Sequence, residues 1–193
     1  MLKTKKISGT EIPKLERAYD KVHAWFFAYP QEEFSLNDVC KATDISKTTA
    51  NLVVSELEKD GFLKISIIGK LWRIKSNPQH PYFKTRKIPF NLRLIYESPI
   101  LDVIKKSLPN AKCIVLFGSF RWGDDIKDSD LDIAVEVLDN KPLEIFEIII
   151  KELGYRQNIK ANIHVFSRNK IDLNLFANIA NGIVLDGFLE VRP

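Results

Sequence analysis

The chain is poor in sulfur, with two cysteines and one methionine among 193 residues. Cys40 and Cys113 fall in unrelated apolar segments, which predicts two buried free thiols in a reducing cytoplasm and argues against a disulfide. Long hydrophobic runs are also missing. Runs such as "IFEIII" at residues 145–150 are far too short to cross a bilayer, so no membrane association is expected. The opening stretch MLKTKKISGTEIP carries charge with no apolar segment behind it, so a secretory signal is not expected. Apolar and aromatic contents are those of an ordinary globular protein, which excludes disordered and fibrous classes. The length suits one large domain or two small ones.

What is present is unevenly placed. Residues 1–96 hold 17 lysines and arginines against 10 acids, whereas residues 97–193 hold 12 against 15. A basic front half joined to an acidic back half suggests two modules with different partners. The front half suits a polyanion. The back half would need a cation to approach one.

Residues 12–28 repeat apolar side chains at helical spacing (Leu15, Ala18, Val22, Trp25, Phe26), and Pro30 closes that helix. Ser35 with Asp38 three residues on reads as a capping box. Ser46 caps a further helix, KTTANLVVSELEKD, which Gly61 terminates. The β-rich stretch FLKISIIGKLWRI follows, with Gly69-Lys70 placed to turn a hairpin. Helix, short helix, turn, helix and hairpin is the order of a winged helix-turn-helix, whose third helix enters a major groove while the hairpin touches backbone. Ser46, Lys47, Thr48, Thr49 and Asn51 are the polar groups at the front of that helix, and Lys70 and Arg73 those of the wing. Such groups meet phosphates and base edges, so double-stranded DNA is the expected partner. Dimerisation or protein docking is the alternative use of the same module, and a homodimer stays open. The pattern resembles the winged helices of archaeal and bacterial regulators fused to other domains.

The stretch SNPQHPYFKTRKIP (76–89) carries three prolines and reads as a linker in which Lys84, Arg86 and Lys87 either extend the basic footprint or are solvated. Helical periodicity resumes on both sides of Pro99. The expected boundaries are 1–75 for the first module, 76–97 for the linker and connecting helix, and 98–193 for the second module.

The second module opens with KCIVLFG, an apolar run that reads as a buried strand ending at Gly118-Ser119. Glycine there lets backbone N–H groups approach an anion, and a helix beginning at Ser119 would aim its free amides at the same point. The acidic run GDDIKDSDLDI follows. In a strand beginning near Asp130, Asp130 and Asp132 share one face while Leu131, Ile133 and Val135 take the other. Two adjacent carboxylates repel unless a cation sits with them, and Mg²⁺, with its preference for oxygen donors, is the natural one. Asp124, Asp125 and Asp128 read as solvated turn residues.

GSFRWGDDIKDSDLD resembles the signature of the polymerase-β-like nucleotidyltransferases, in the register of their minimal members. The resemblance implies a two-domain α/β (α+β) protein, with an N-terminal winged helix-turn-helix and a C-terminal nucleotidyltransferase fold of mixed sheet and flanking helices. By the same resemblance Gly118 and Ser119 would hold a triphosphate, and Asp130 and Asp132 would bind Mg²⁺, with room for a two-ion site. The implied reaction transfers a nucleoside monophosphate, AMP from ATP being the usual case, to an acceptor such as a partner toxin, which would make the chain an antitoxin. Tryptophan at 122 and arginine at 121 depart from that pattern, which usually has arginine directly before the second glycine.

The third acid of the pattern is also missing. PLEIFEIIIKELG (142–154) reads as a helix, and IKANIHVF (159–166) as the strand that would carry that acid. Asn162 or His164 stands in the position: the first could offer a carbonyl to a metal, the second a base near neutral pH. Two readings follow from this, a working transferase or a nucleotidyltransferase fold that binds without turnover and serves as a regulator or nucleotide sensor. The helix KIDLNLFANIAN and a last strand or tail, IVLDGFLEV, complete the chain.

Overall fold

In the computed structural model, residues 5–7, 18–69 and 71–191 are described, the first three by their backbone alone. The front half contains α1 (Ala18–Ala28), α2 (Leu36–Thr43), α3 (Lys47–Lys59) and an antiparallel hairpin of β2 (Leu63–Ile68) and β3 (Leu71–Ser76). Residues 12–17 of the expected first helix lie outside the described residues.

Local chemistry fixes the helix ends. Ser35 Oγ accepts the Asp38 N–H at 3.2 Å while Asp38 Oδ2 accepts the Ser35 N–H at 2.9 Å, completing the capping box of α2. Ser46 Oγ accepts the Thr49 N–H at 3.1 Å and starts α3. Val22 and Phe26 of α1, Val39 of α2, Val53, Val54 and Leu57 of α3, and Phe62, Leu63 and Ile74 around the hairpin close one apolar core. Phe34 adds a short bridge to Ile74, exchanging hydrogen bonds of 2.9 and 2.8 Å.

The expected linker is structured. After α4 (Tyr82–Thr85), α5 (Lys87–Glu97) and α6 (Ile100–Ser107) run into the second module. Prolines 81, 89 and 99 fall at or just inside helix starts, where a missing N–H costs little. Phe83 packs into the first core, Leu94 and Ile95 into the second, and Phe90 touches both. This segment is therefore a strut between cores.

The second module is a six-stranded mixed sheet: β1 (Lys5–Ile7), β4 (Ala111–Phe117), β5 (Leu131–Val137), β6 (Glu144–Leu153), β7 (Arg156–Phe166) and β8 (Ile183–Gly187), in the order β1-β6-β7-β5-β4-β8. Thus Lys5–Ile7, placed by sequence in the first module, pairs parallel with β6 of the second. Two short helices complete the set, α7 (Ser119–Trp122) and α8 (Leu173–Ala180), the latter capped by Asp172, which accepts from Asn174 N–H and Leu175 N–H. α5 and α6 cover one face, over Ile114, Leu116, Ile133 and Val135, and α8 covers the other, over Cys113, Val115 and Ala134.

One expected element is wrong. Residues 142–154 do not form a helix; Glu144–Leu153 is strand β6, antiparallel to β7 through the two-residue turn Gly154-Tyr155. Ile145, Ile148, Ile149 and Ile150 are β-branched, and Ile148 and Ile150 alternate into the core. Glu152 accordingly sits on a strand, opposite Gln157. The thiols are both free, but only Cys113 is buried, where desolvation pushes it up to about 11, and Cys40 is half-exposed. No helix among the described residues is long and apolar enough to cross a membrane.

Candidate functional site

Three neighbouring strands build the site. Phe117, the last residue of β4, pairs with Asp132 of β5, and Asp132 pairs in turn with Asn162 of β7. Strand alternation then puts Asp132, Asn162 and His164 on one side, while Leu131, Ile133 and Val135 are fully buried on the other.

Gly118 has φ 70° and ψ −158°, a region open essentially to glycine alone. A Cβ built there would lie 2.4 Å from Asp132 Oδ2. The glycine therefore allows the carboxylate to fold against the turn, with Ser119 beginning α7 immediately after it. Gly123 ends that helix in the left-handed region.

Asp130 and Asp132 share a neutral neighbour. Asn162 Nδ2 donates to Asp130 Oδ2 and to Asp132 Oδ1, each at 3.2 Å. His164 Nε2 stands 3.8 Å from Asp132 Oδ1, and its ring meets the Phe117 ring edge-on at 5.0 Å. His164 Nδ1 is buried without a hydrogen-bond partner among the described residues. Both residues named for the third position therefore reach the aspartates.

Lys160, two residues before Asn162, was missed. It pairs with Glu147 at 2.7 Å, and its pKa is raised first by that hydrogen bond and further by the nearby Glu147, Asp130 and Asp132 charges. The alternation Lys160, Asn162, His164 along β7 was the available signal.

Among the described residues, no three of histidine, cysteine, aspartate and glutamate group into a metal cage. The aspartate pair is what remains for a hard cation. Two carboxylates suit Mg²⁺, which takes the rest of its octahedron from phosphate oxygens and water. The residues present fit such an ion in that limited sense.

The acidic turn ahead of the pair is not all solvated. Asp125 is fully buried, as is Lys87. Asp125 Oδ2 lies 3.2 Å from Lys87 Nζ and 2.9 Å from Arg156 Nη2, and Asp125 Oδ1 accepts from Asn91 Nδ2 at 2.7 Å. Lys87 Nζ also donates to the Asp125 carbonyl, Asn91 to the Phe120 carbonyl at 3.1 Å, and Arg156 to the Ile126 carbonyl at 3.0 Å. Burial pulls Lys87 down to about 8, against the opposing pull of Asp125. These contacts tie the loop below the site to α5 and β7. The expectation that Asp125 and Lys87 face water is corrected by them. Asp124 and Asp128 are exposed, and Asp124 pairs with Lys84 at 2.7 Å. Arg121 stacks on the half-exposed ring of Trp122 at 3.5 Å.

On the front module, Lys47, Thr48 and Asn51 are exposed on α3, whereas Ser46 and Thr49 are engaged in its cap. Lys47 and Asn51 line a groove of about 240 Å³ with Ser35, Leu71 and Trp72. Arg73 is exposed on β3, and Lys70 lies outside the described residues. The tip of the hairpin is aliphatic: Ile67, Ile68 and Leu71 are 64–67% exposed.

A glycine turn packed on a strand-borne aspartate pair, in a mixed sheet covered on both faces, is consistent with a nucleotidyltransferase fold. Residues 99–186 match the family model described as "Polymerase beta, Nucleotidyltransferase", a span running from the start of α6 into β8. No curated protein matches the chain.

Proposed function

We propose that the second module binds a Mg²⁺–nucleoside triphosphate and transfers its nucleoside monophosphate, AMP from ATP in the first instance, to an acceptor. The observation that carries this reading is the approach of Asp132 to Gly118, which sets a carboxylate pair against a glycine turn. Gly118 and Ser119 would hold phosphate oxygens through backbone N–H groups and the hydroxyl. Asp130 and Asp132 would hold the ion, which stabilises charge developing on the phosphoryl oxygens and the leaving pyrophosphate. His164, whose Nε2 stands 3.8 Å from Asp132 Oδ1, would take a proton from an acceptor hydroxyl. A protein, such as a toxin silenced by the modification, would be one such acceptor.

The test is transfer of label from ATP, GTP, CTP or UTP in Mg²⁺ with cell extract, run beside Asp130→Ala/Asp132→Ala. Label transfer that disappears in the double variant supports the reading. Nucleotide binding with no transfer from any of the four favours the second reading, a nucleotide sensor without turnover. Asn162, an amide where an acid would help deprotonate the acceptor, is the observation on that side.

For the front module the reading is a winged helix that docks the chain on double-stranded DNA through Lys47, Thr48, Asn51 and Arg73. Its affinity is expected to fall steeply with salt, and Lys47→Ala/Arg73→Ala is expected to flatten that slope by about two phosphate contacts. An unchanged slope would turn attention to the aliphatic hairpin tip and to protein docking.

A further inference from the structure

We infer that Asn162 acts as an uncharged stand-in for the cation: in the metal-free protein its amide holds Asp130 and Asp132 together, and it competes with a divalent ion for them. The inference rests on the reading of the aspartate pair as an ion site, and it assigns the residue that sets how tightly the ion is held.

The geometry is specific. One –NH₂ group carries two hydrogens, and Asn162 directs it at two different carboxylates at equal distances of 3.2 Å. The opposite amide orientation would aim a carbonyl oxygen at two anions, so the nitrogen is the end that faces them. The amide is fixed by register, since Asn162 lies directly beside Asp132 in a parallel pair in the sheet interior. Lys160, whose ammonium feels the charges of both aspartates, gives its hydrogen bond to Glu147, and His164 Nε2 stands 3.8 Å from Asp132 alone. The amide is thus the group that donates a hydrogen bond to each carboxylate, which eases the repulsion between them.

Asp130 Oδ2 and Asp132 Oδ1 are already taken up by the amide, so an incoming Mg²⁺ or Mn²⁺ that uses them would have to displace Nδ2, and the amide would swing away or turn its carbonyl to the metal. Either movement gives up two hydrogen bonds to charged acceptors, the stronger kind. The chain therefore gains a sheet that is stable without metal and gives up ion affinity. An alanine at 162 removes the competitor. An aspartate removes it and adds a charge facing the same pair.

The probe is Mn²⁺ alone, titrated into the full chain without nucleotide and followed by its electron paramagnetic resonance signal, with thermal melts in EDTA alongside. Mn²⁺ affinity is expected to rise from wild type to Asn162→Ala by roughly tenfold, the equivalent of one charge-assisted hydrogen bond, and further in Asn162→Asp. In EDTA both variants melt below wild type, Asn162→Asp most, and Mn²⁺ restores Asn162→Asp above its metal-free value. Asp132→Asn added to Asn162→Asp should remove the gain, which places it at the pair. An Asn162→Ala variant that binds Mn²⁺ equally or more weakly overturns the inference, because the amide would then be a bystander or a carbonyl ligand. The outcome separates from that of the transfer assay. The predicted order of Mn²⁺ affinities without label transfer sinks the transferase reading alone, and label transfer with an unchanged Asn162→Ala titration sinks the amide's role alone.

Discussion

Asp125→Ala is expected to destabilise the protein by about 3–5 kcal/mol, the range for breaking a buried ion pair from one side. The cause lies in what stays behind. Lys87 and Arg156 are 0% and 3% exposed, and both face the Asp125 carboxylate. Without it two cations share a dry pocket, one of them already pulled down to about 8 by burial. Asn91 loses its side-chain acceptor as well, keeping only the Phe120 carbonyl. Lys87→Met is the informative companion. It leaves Arg156 paired with Asp125 and replaces a buried ammonium with an apolar group of similar length, so it should be close to neutral or stabilising. In Asp125→Ala/Lys87→Met a substantial part of the loss should return. Urea melts at fixed pH measure all three, and a loss under about 1 kcal/mol for Asp125→Ala would mean that the cluster is already hydrated.

The same cluster shows where reading the sequence stopped. Asp125 stands in a run with Asp124 and Asp128, and nothing within several residues distinguishes it from them. Its partners arrive from 38 residues earlier and 31 residues later in the chain, so its burial is a tertiary fact. Gly118, Asp130 and Asp132 were legible for the opposite reason. A glycine turn and a two-residue alternation are local rules, and the sheet needed only to bring the two pieces side by side. The helix caps at Ser35 and Ser46 were legible on the same grounds, as was the Gly69 hairpin.

β6 failed by an inconsistent reading of an equal signal. Gly154-Tyr155 is a two-residue connection with glycine first and in the left-handed region, as Gly69 is in the other hairpin. The run EIFEIIIKEL also satisfies a helical pattern, and for short apolar runs periodicity alone does not decide. The hairpin partner decides, since β7 offers Glu144–Leu153 a ladder along its whole length. With that strand in place, β7 becomes an interior strand, and Lys160, Asn162 and His164 acquire fixed positions beside Asp132. The third position of the site was therefore legible as residues, but not as geometry.

Gly118→Ala is expected to cost about 3 kcal/mol and to abolish ion and nucleotide binding together. Two effects combine. Alanine at φ 70°, ψ −158° carries backbone strain of about 1–3 kcal/mol. Its Cβ would also stand 2.4 Å from Asp132 Oδ2 and 3.2 Å from Asp132 Cβ and Cγ. The Asp132 backbone cannot yield, because it is laddered to Phe117 on one side and Asn162 on the other. The side chain must rotate, and it then leaves both Asn162 and the glycine turn. Gly69→Ala, with φ 64° and nothing within 4 Å of the added carbon, reports the cost of a positive φ without crowding. The excess cost of Gly118→Ala over Gly69→Ala combines the added strain of ψ −158° with the crowded carboxylate. That excess should shrink when Gly118→Ala is made in an Asp132→Ala background, where the crowding partner is gone. A Gly118→Ala loss in urea melts that is the same with and without Asp132→Ala would show that Asp132 does not press on the turn. The carboxylate and the glycine turn would then be two separate features, not two sides of one site.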